Sequence, residues 1–330
     1  MNVRLFLRKP FAAQFSVERY FDTIFESLRD QIYIDRKHLP CRSKGIIRRG
    51  INVIAARLWQ SDVNHVTGDV NYIGLMLSPK RTVLTVLDCQ VLQRLTGWRR
   101  AVVKTLWFSW PMRRARLITV ISDETKRTLV KECDCEPDRI VVVPVAVPPM
   151  DSSPSSDFHT DCPRILQIGT KANKNIPRLI DALCGLPCIL DIVGPVNDDL
   201  RSTLLQANIN FTSSSGLSDD ELVQKYRDCD IVAFVSTYEG FGMPIIEAQW
   251  VERPVVTSNC SSMPEVGGDG AVYVDPFDVT SIRDGFQRVI NDPDLRAMVI
   301  EAGRQNRVRF LPEKIASQFE QIYREVAGNA

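Results

Sequence analysis

The 330-residue sequence alternates short apolar runs with stretches of helical apolar spacing, and this alternation leaves the chain few architectures. The runs at 3–7, 82–87, 117–121 and 140–143 in the first half read as strands that are apolar on both faces. So do those at 164–168, 188–193, 231–235, 254–257 and 271–274 in the second. Such strands need helices covering both sides of their sheet. The segments between them supply these: helices are expected over 16–28, from the capping Ser122 and the acidic Asp123 and Glu124, over 176–183, over 218–227 and over 313–326. Strand and helix in turn predict an α/β fold with parallel sheets. Between the halves lies PPMDSSPSSDFHTDCP, residues 148–163, rich in Pro and Ser, which reads as a linker. Two Rossmann-like lobes facing a central cleft follow, residues 1–147 and 164–311, because α/β sheets bind ligands beyond the C-terminal ends of their strands.

Composition narrows the function. With 44% apolar and 25% charged residues the chain is an ordinary globular protein of about two domains. Its net charge of +1 hides an asymmetry: residues 1–150 carry 25 Lys and Arg against 14 Asp and Glu, and residues 151–330 carry 16 against 26. No apolar run approaches the roughly 20 residues of a membrane span, and the N-terminal stretch lacks a long apolar segment with a small-residue cleavage site, so a cytoplasmic location is expected. The nine cysteines are scattered and odd in number, as buried thiols in a reducing compartment would be. With only His38, His65 and His159, and no second cysteine pair at ligand spacing, structural zinc is not expected.

Residues 231–248 carry the most chemistry. An apolar strand breaks at Ser236 and Thr237; Gly240 and Gly242 follow, and Pro244 opens a helix. The first turn of that helix presents backbone N–H groups near Gly242, Met243 and Ile245 that suit a phosphate or sugar hydroxyls, and two carboxylates, Glu239 and Glu247, flank them. A ligand with both hydroxyls and phosphate, such as a nucleotide sugar, fits better than either alone.

This segment, with its Glu-x7-Glu spacing and the local form YEGFGMPIIEA, resembles the signature of retaining GT-B glycosyltransferases, and of glycosyltransferase family 4 in particular. The resemblance implies that Glu239 lies by the donor sugar, that Gly240, Phe241, Gly242, Met243 and Ile245 hold sugar and pyrophosphate, and that Glu247 takes the ribose hydroxyls. A second segment, Gly169-Thr170-Lys171-Ala172-Asn173-Lys174-Asn175, lies between a strand and a helix, where lysine can neutralise pyrophosphate. It is similar to the family's phosphate-binding turn, with Lys174 at its lysine and Lys171 where the family often has an arginine. Leu217 completes the donor-binding set that the resemblance implies. In the first half, residues 65–72 and 84–88 place polar groups near strand ends and are similar to family segments in which a His-Asp pair lies by the reacting centre. Here Leu87 takes the histidine's place, leaving Asp88 and His65 as catalytic candidates beside Glu239 and Lys174.

The family further implies a GT-B architecture whose terminal helix, within 312–330, packs back on the first lobe. It implies transfer of a hexose from a nucleotide diphosphate sugar to a saccharide or lipid-linked acceptor of a cell-surface polysaccharide, with retention and with no cofactor or obligatory metal. A nucleotide-sugar epimerase on the same fold and a catalytically silent sugar-nucleotide binding protein are the alternatives. Asp228-Cys229-Asp230 imitates a metal-binding Asp-x-Asp but precedes its strand, on the edge opposite the site. No Gly-x-Gly-x-x-Gly opens a helix after a strand, so NAD binding is not expected. Trp98, Arg99, Arg100, Lys104, Trp107, Trp110, Arg113, Arg114 and Arg116 form a basic aromatic cluster that suits an anionic membrane surface, whereas no nucleic-acid module is recognisable.

Overall fold

The computed structural model describes residues 1–9, 16–29, 31–133, 135–150 and 157–328. Residues 151–156 of the expected linker lie outside the described residues. The chain divides into two units: Met1–Pro148 with Phe310–Ala330, and Pro149–Arg309.

The first unit is built on β1 (Asn2–Leu7), α1 (Ser16–Leu28), β2 (Tyr33–His38), α2 (Ile46–Leu58), β3 (Val63–Thr67), β4 (Thr82–Val86), β5 (Leu117–Val120) and β6 (Ile140–Val142). Its strands form one parallel sheet in the order β2-β1-β3-β4-β5-β6. Every residue of β3, β4 and β5 is buried, as strands covered on both faces require. The edge strand β2, Tyr-Ile-Asp-Arg-Lys-His, has no buried residue, which is why no apolar run announces it. The terminal helix Pro312–Gly328 packs on α1 and β3, burying Ile315, Phe319, Ile322, Tyr323 and Val326.

The second unit carries β7 (Arg164–Ile168), β8 (Ile189–Val193), β9 (Asn210–Ser214), β10 (Ile231–Phe234), β11 (Val255–Ser258) and β12 (Val272–Val274). They form a second parallel sheet in the order β12-β11-β10-β7-β8-β9. Helices Ile176–Leu183 and Val279–Asn291 close its core with Leu179, Ile180, Leu183, Ile282, Phe286 and Val289. Strand order runs outward one way from β7 through β8 to β9 and the other way from β10 through β11 to β12. The reversal between β7 and β10 is a topological switch point, where two loops leave the same sheet edge in opposite directions and open a crevice.

Candidate active site

Both loops at this switch point are those singled out by sequence. After β7 the chain turns at Gly169, whose φ of 82° favours glycine. Its N–H donates to the Val193 carbonyl (2.7 Å), and Gln167 Nε2 donates to its carbonyl (3.1 Å). A Cβ at Gly169 would stand 3.1 Å from Lys174 Cε, so glycine lets the lysine fold back over the strand end. Ala172–Lys174 makes one tight helical turn, and Asn175, at φ 59°, anchors it by donating from Nδ2 to the carbonyls of Val235 (3.1 Å) and Pro276 (2.7 Å). The Asn173 carbonyl accepts from the N–H of Thr237 (2.9 Å), which ties the β7 loop to the β10 loop.

Across that tie, Lys174 Nζ lies 2.8 Å from Glu239 Oε1, and Asn173 Nδ2 donates to the same oxygen (3.0 Å) and to the Tyr238 carbonyl (3.0 Å). The ammonium also sits 4.4 Å from the centre of the Phe234 ring. Only 14% and 15% of the two charged side chains are exposed, so removing either would strand its partner's charge in a poorly solvated place. The backbone of Glu239 is held from the other side. Its N–H donates to Ser261 Oγ (3.2 Å), and its carbonyl accepts from Ser261 Oγ (2.8 Å) and Ser262 Oγ (3.0 Å). Ser262 Oγ also bonds the Phe241 carbonyl (2.5 Å).

Gly242, at φ 122°, then starts the helix Met243–Trp250. One expectation needs correction here: the Ile245 N–H donates to the Gly242 carbonyl (3.0 Å), because the helix opens with a tight turn around Pro244, and this amide is already paired. The Ile245 and Phe241 side chains are buried in the core. Gly242 and Met243 supply the amides at the helix mouth. Further along, Glu247 Oε2 accepts from Tyr226 Oη (2.5 Å). The phenol is fully buried, and burial together with the Glu247 charge holds its pKa well above the usual 10, so it stays a donor. Thr170 packs against Gly194, Lys171 is exposed, and Leu217 lies half-buried after β9 on the same sheet edge. A cation, a carboxylate and a helix mouth thus share one crevice, a set able to receive a phosphorylated, hydroxyl-bearing ligand.

Residues 152–306 match the family profile described as glycosyl transferases group 1. Among similar proteins, an O-antigen chain mannosyltransferase B from Escherichia coli is 28% identical over 238 residues, 64% of this chain and 61% of that protein. An MMP alpha-(1->4)-mannosyltransferase from Mycolicibacterium hassiacum is 25% identical, over 68% of this chain and 59% of that one. The chain spans about three fifths of the length of these relatives. A sucrose-phosphate synthase from Thermosynechococcus elongatus covers all of both chains with a TM-score of 0.82 at 17% identity. HepE from Anabaena, solved with UDP and glucose, covers 98% of this chain and 100% of its own with a TM-score of 0.78 at 16% identity. Residues 152–306, nearly the whole of the second unit, thus resemble the group 1 glycosyltransferases. The fold of the chain is GT-B.

The first-unit candidates part company. Asp88 is exposed just beyond β4, where its Oδ1 accepts from the Gln90 N–H (3.0 Å). His65 is a correction: it lies within β3, fully buried, its Nδ1 2.7 Å from Tyr323 Oη and its Nε2 2.6 Å from Thr85 Oγ1. Phe21 and Phe319 pack on the ring, and burial lowers its pKa to about 3. It is a neutral core residue of the first unit, with both ring nitrogens already paired. Asp230 is likewise buried, its oxygens taken by the backbone N–H groups of His159 and Arg164 and by His159 Nδ1 (3.1 Å). In the basic aromatic cluster Trp98 and Trp110 face solvent, while Trp107 stacks on Tyr72. Sequence reasoning passed over Asn173, Ser261, Ser262 and Tyr226, which orient the two glutamates. Only the Asn173-Lys174-Asn175 run carried a local signal for any of them.

Proposed function

We propose that this glycosyltransferase moves a hexose from a nucleotide diphosphate sugar to a saccharide or lipid-linked acceptor of a cell-surface polysaccharide, retaining the anomeric configuration. The observation that carries this reading is the Lys174–Glu239 pair, 2.8 Å apart at the switch point and beside the Gly242 helix mouth. When a donor enters, its pyrophosphate offers Lys174 a second anionic partner. The ammonium, with the Gly242 and Met243 amides, then opposes the charge that grows on the leaving nucleotide. Glu239, held by Asn173 and Ser261, lies where the sugar ring becomes electron-poor, and Glu247, fixed by Tyr226, takes the ribose hydroxyls. Since protein groups supply this neutralisation, a divalent ion has no essential task.

Likeness to two mannosyltransferases supports mannose as the first sugar to test, and the UDP-glucose complex of HepE supports glucose as the second. The protein should be incubated with GDP-mannose and UDP-glucose, each with and without mannoside acceptors. Nucleotide release that requires acceptor, with a product whose anomeric proton keeps the donor's configuration, is the expected result. Interconversion of sugars without acceptor would mean an epimerase, and tight binding without turnover would mean a silent binding protein.

A further inference from the structure

The helix α2 is amphipathic in the reverse sense. At about 100° per residue, Ile47, Ile51, Ile54 and Leu58 share one face. All four point to solvent, with exposures of 81%, 45%, 60% and 77%. The inward face is mostly small and polar, with half-buried Val53 its one larger apolar contact to the core. Ala56 and Asn52 are buried there, and Asn52 is fully bonded: its Oδ1 accepts from the Cys41 N–H, and its Nδ2 donates to the Cys41 carbonyl and to Tyr72 Oη. Arg49 lies over the Trp107 ring at 4.3 Å. A helix anchored by an asparagine while its isoleucines face water is not serving the core. Single exposed apolar side chains are ordinary, but a contiguous stripe along about 16 Å of helix marks a surface that meets something.

Further exposed apolar side chains lie on the elements next to α2. That helix packs on the short helix Asn71–Leu75, which packs in turn on the helix Trp110–Arg114. Met76 and Trp110 are half-exposed on this extension, and Leu75 and Trp110 line a shallow pocket with Arg113 and Arg114. The flanking charge has one sign. Exposed Arg48 and Arg57 border the isoleucine stripe on either side, and residues 36–61 hold seven Lys or Arg and no Asp or Glu.

We propose that α2, continued by Met76 and Trp110, docks this protein on an anionic lipid bilayer. The helix lies parallel to the surface, its isoleucine stripe is sunk among headgroups and upper acyl chains, and the arginines meet lipid phosphates. Apolar side chains bordered by cations, with a half-exposed tryptophan beside them, are the composition of an interfacial helix. A second copy of the chain fits less well, because a two-fold contact through this face would set arginine against arginine. Spanning is excluded by length: thirteen residues reach only about 20 Å, against a hydrocarbon core of about 30 Å. The proposal sharpens the reading of a lipid-side acceptor but is tested without any sugar donor, so the two can fail separately.

Full-length protein is sedimented with phosphatidylcholine vesicles and with vesicles also containing phosphatidylglycerol. The parent should partition onto the anionic vesicles, less so as salt rises above about 0.1 M. Ile47→Ser/Ile54→Ser/Leu58→Ser should lower that partition at least ~10-fold at every salt concentration, by the transfer free energy of the lost apolar area. Arg48→Gln/Arg57→Gln should remove the preference for anionic vesicles. All these side chains are exposed, so circular dichroism and melting should match the parent. Equal binding by parent and serine variant, or no binding by the parent, overturns the proposal. Self-association of the parent that the serine variant loses, without vesicle binding, assigns the face to a second copy instead.

Discussion

Lys174 and Glu239 were legible as two residues with separate tasks, and the structure joins them in one ion pair. Their consequences in reaction still differ. On the proposed reading Glu239 meets the sugar, where positive charge grows in the transition state, so Glu239→Gln should mainly lower kcat; Glu247→Gln should mainly raise the donor KM, since ribose does not change during transfer. A charged hydrogen bond of about 1.5–3 kcal/mol makes either change about ten- to a hundredfold in steady-state kinetics. Tyr226→Phe should follow Glu247 with a smaller rise in donor KM and an unaltered kcat, because the phenol acts only by fixing the carboxylate. His65 yields a stability prediction. Buried and neutral, its folded pKa of about 3 lies below the unfolded value of about 6.5, so the unfolded chain binds the extra proton in between. Its contribution is therefore complete above pH about 6.5 and is lost as pH falls toward 3, at up to about 1.4 kcal/mol per pH unit. Urea unfolding between pH 6.5 and 5, above the range where most carboxylates titrate, should show the slope, and His65→Gln should flatten it. No local pattern could reveal this role, because the partner that closes the site, Tyr323, stands 258 residues away.

Elements were legible where their residues are apolar, so the edge strands β6 and β12 were read while the buried central strand β3, Val-Asn-His-Val-Thr, was not. Strands β4, β5, β7, β8, β10 and β11 are central or nearly so and stand out as apolar runs. The edge strands β2 and β9 carry mostly polar residues, none of them fully buried, and gave no signal. Asn173 and the Ser261-Ser262 pair escaped notice for another reason: they reach Glu239 from separate loops that only the sheet order brings together. The turn between β10 and its helix was legible through its glycines, and Gly242 gives the element-scale prediction. At φ 122° a side chain is strained by about 1–3 kcal/mol, and a Cβ would stand 3.3 Å from Phe234 Cε1, on the ring beneath Lys174. Gly242→Ala should thus lower the melting temperature and also weaken donor binding, read by thermal unfolding and by nucleotide titration. In the terminal helix, Phe319→Ala should cost the first unit about 3–5 kcal/mol, since that ring is buried against Phe21 and His65.

At the scale of the molecule, each unit has its own sheet and core, and the loops proposed to hold the donor belong to the second. A nucleotide diphosphate should therefore raise the unfolding transition of residues 149–309, by about 2.7 kcal/mol at a hundredfold excess over its Kd, and leave the other transition in place. Scanning calorimetry with and without nucleotide checks this. Activity should also survive EDTA, and a loss restored by manganese would overturn the charge-neutralising role proposed for Lys174. The first unit is written in two pieces, residues 1–148 and 310–330, joined where the Val147 N–H meets the Phe310 carbonyl (2.9 Å). On a translating ribosome the order of completion is then inverted. The second unit has its own sheet and core complete before residue 310 leaves the exit tunnel, whereas His65, made long before it, waits for Tyr323. Through that interval the first lobe's core stays open between α1 and β3, a nascent surface for chaperones that closes only when the last helix emerges.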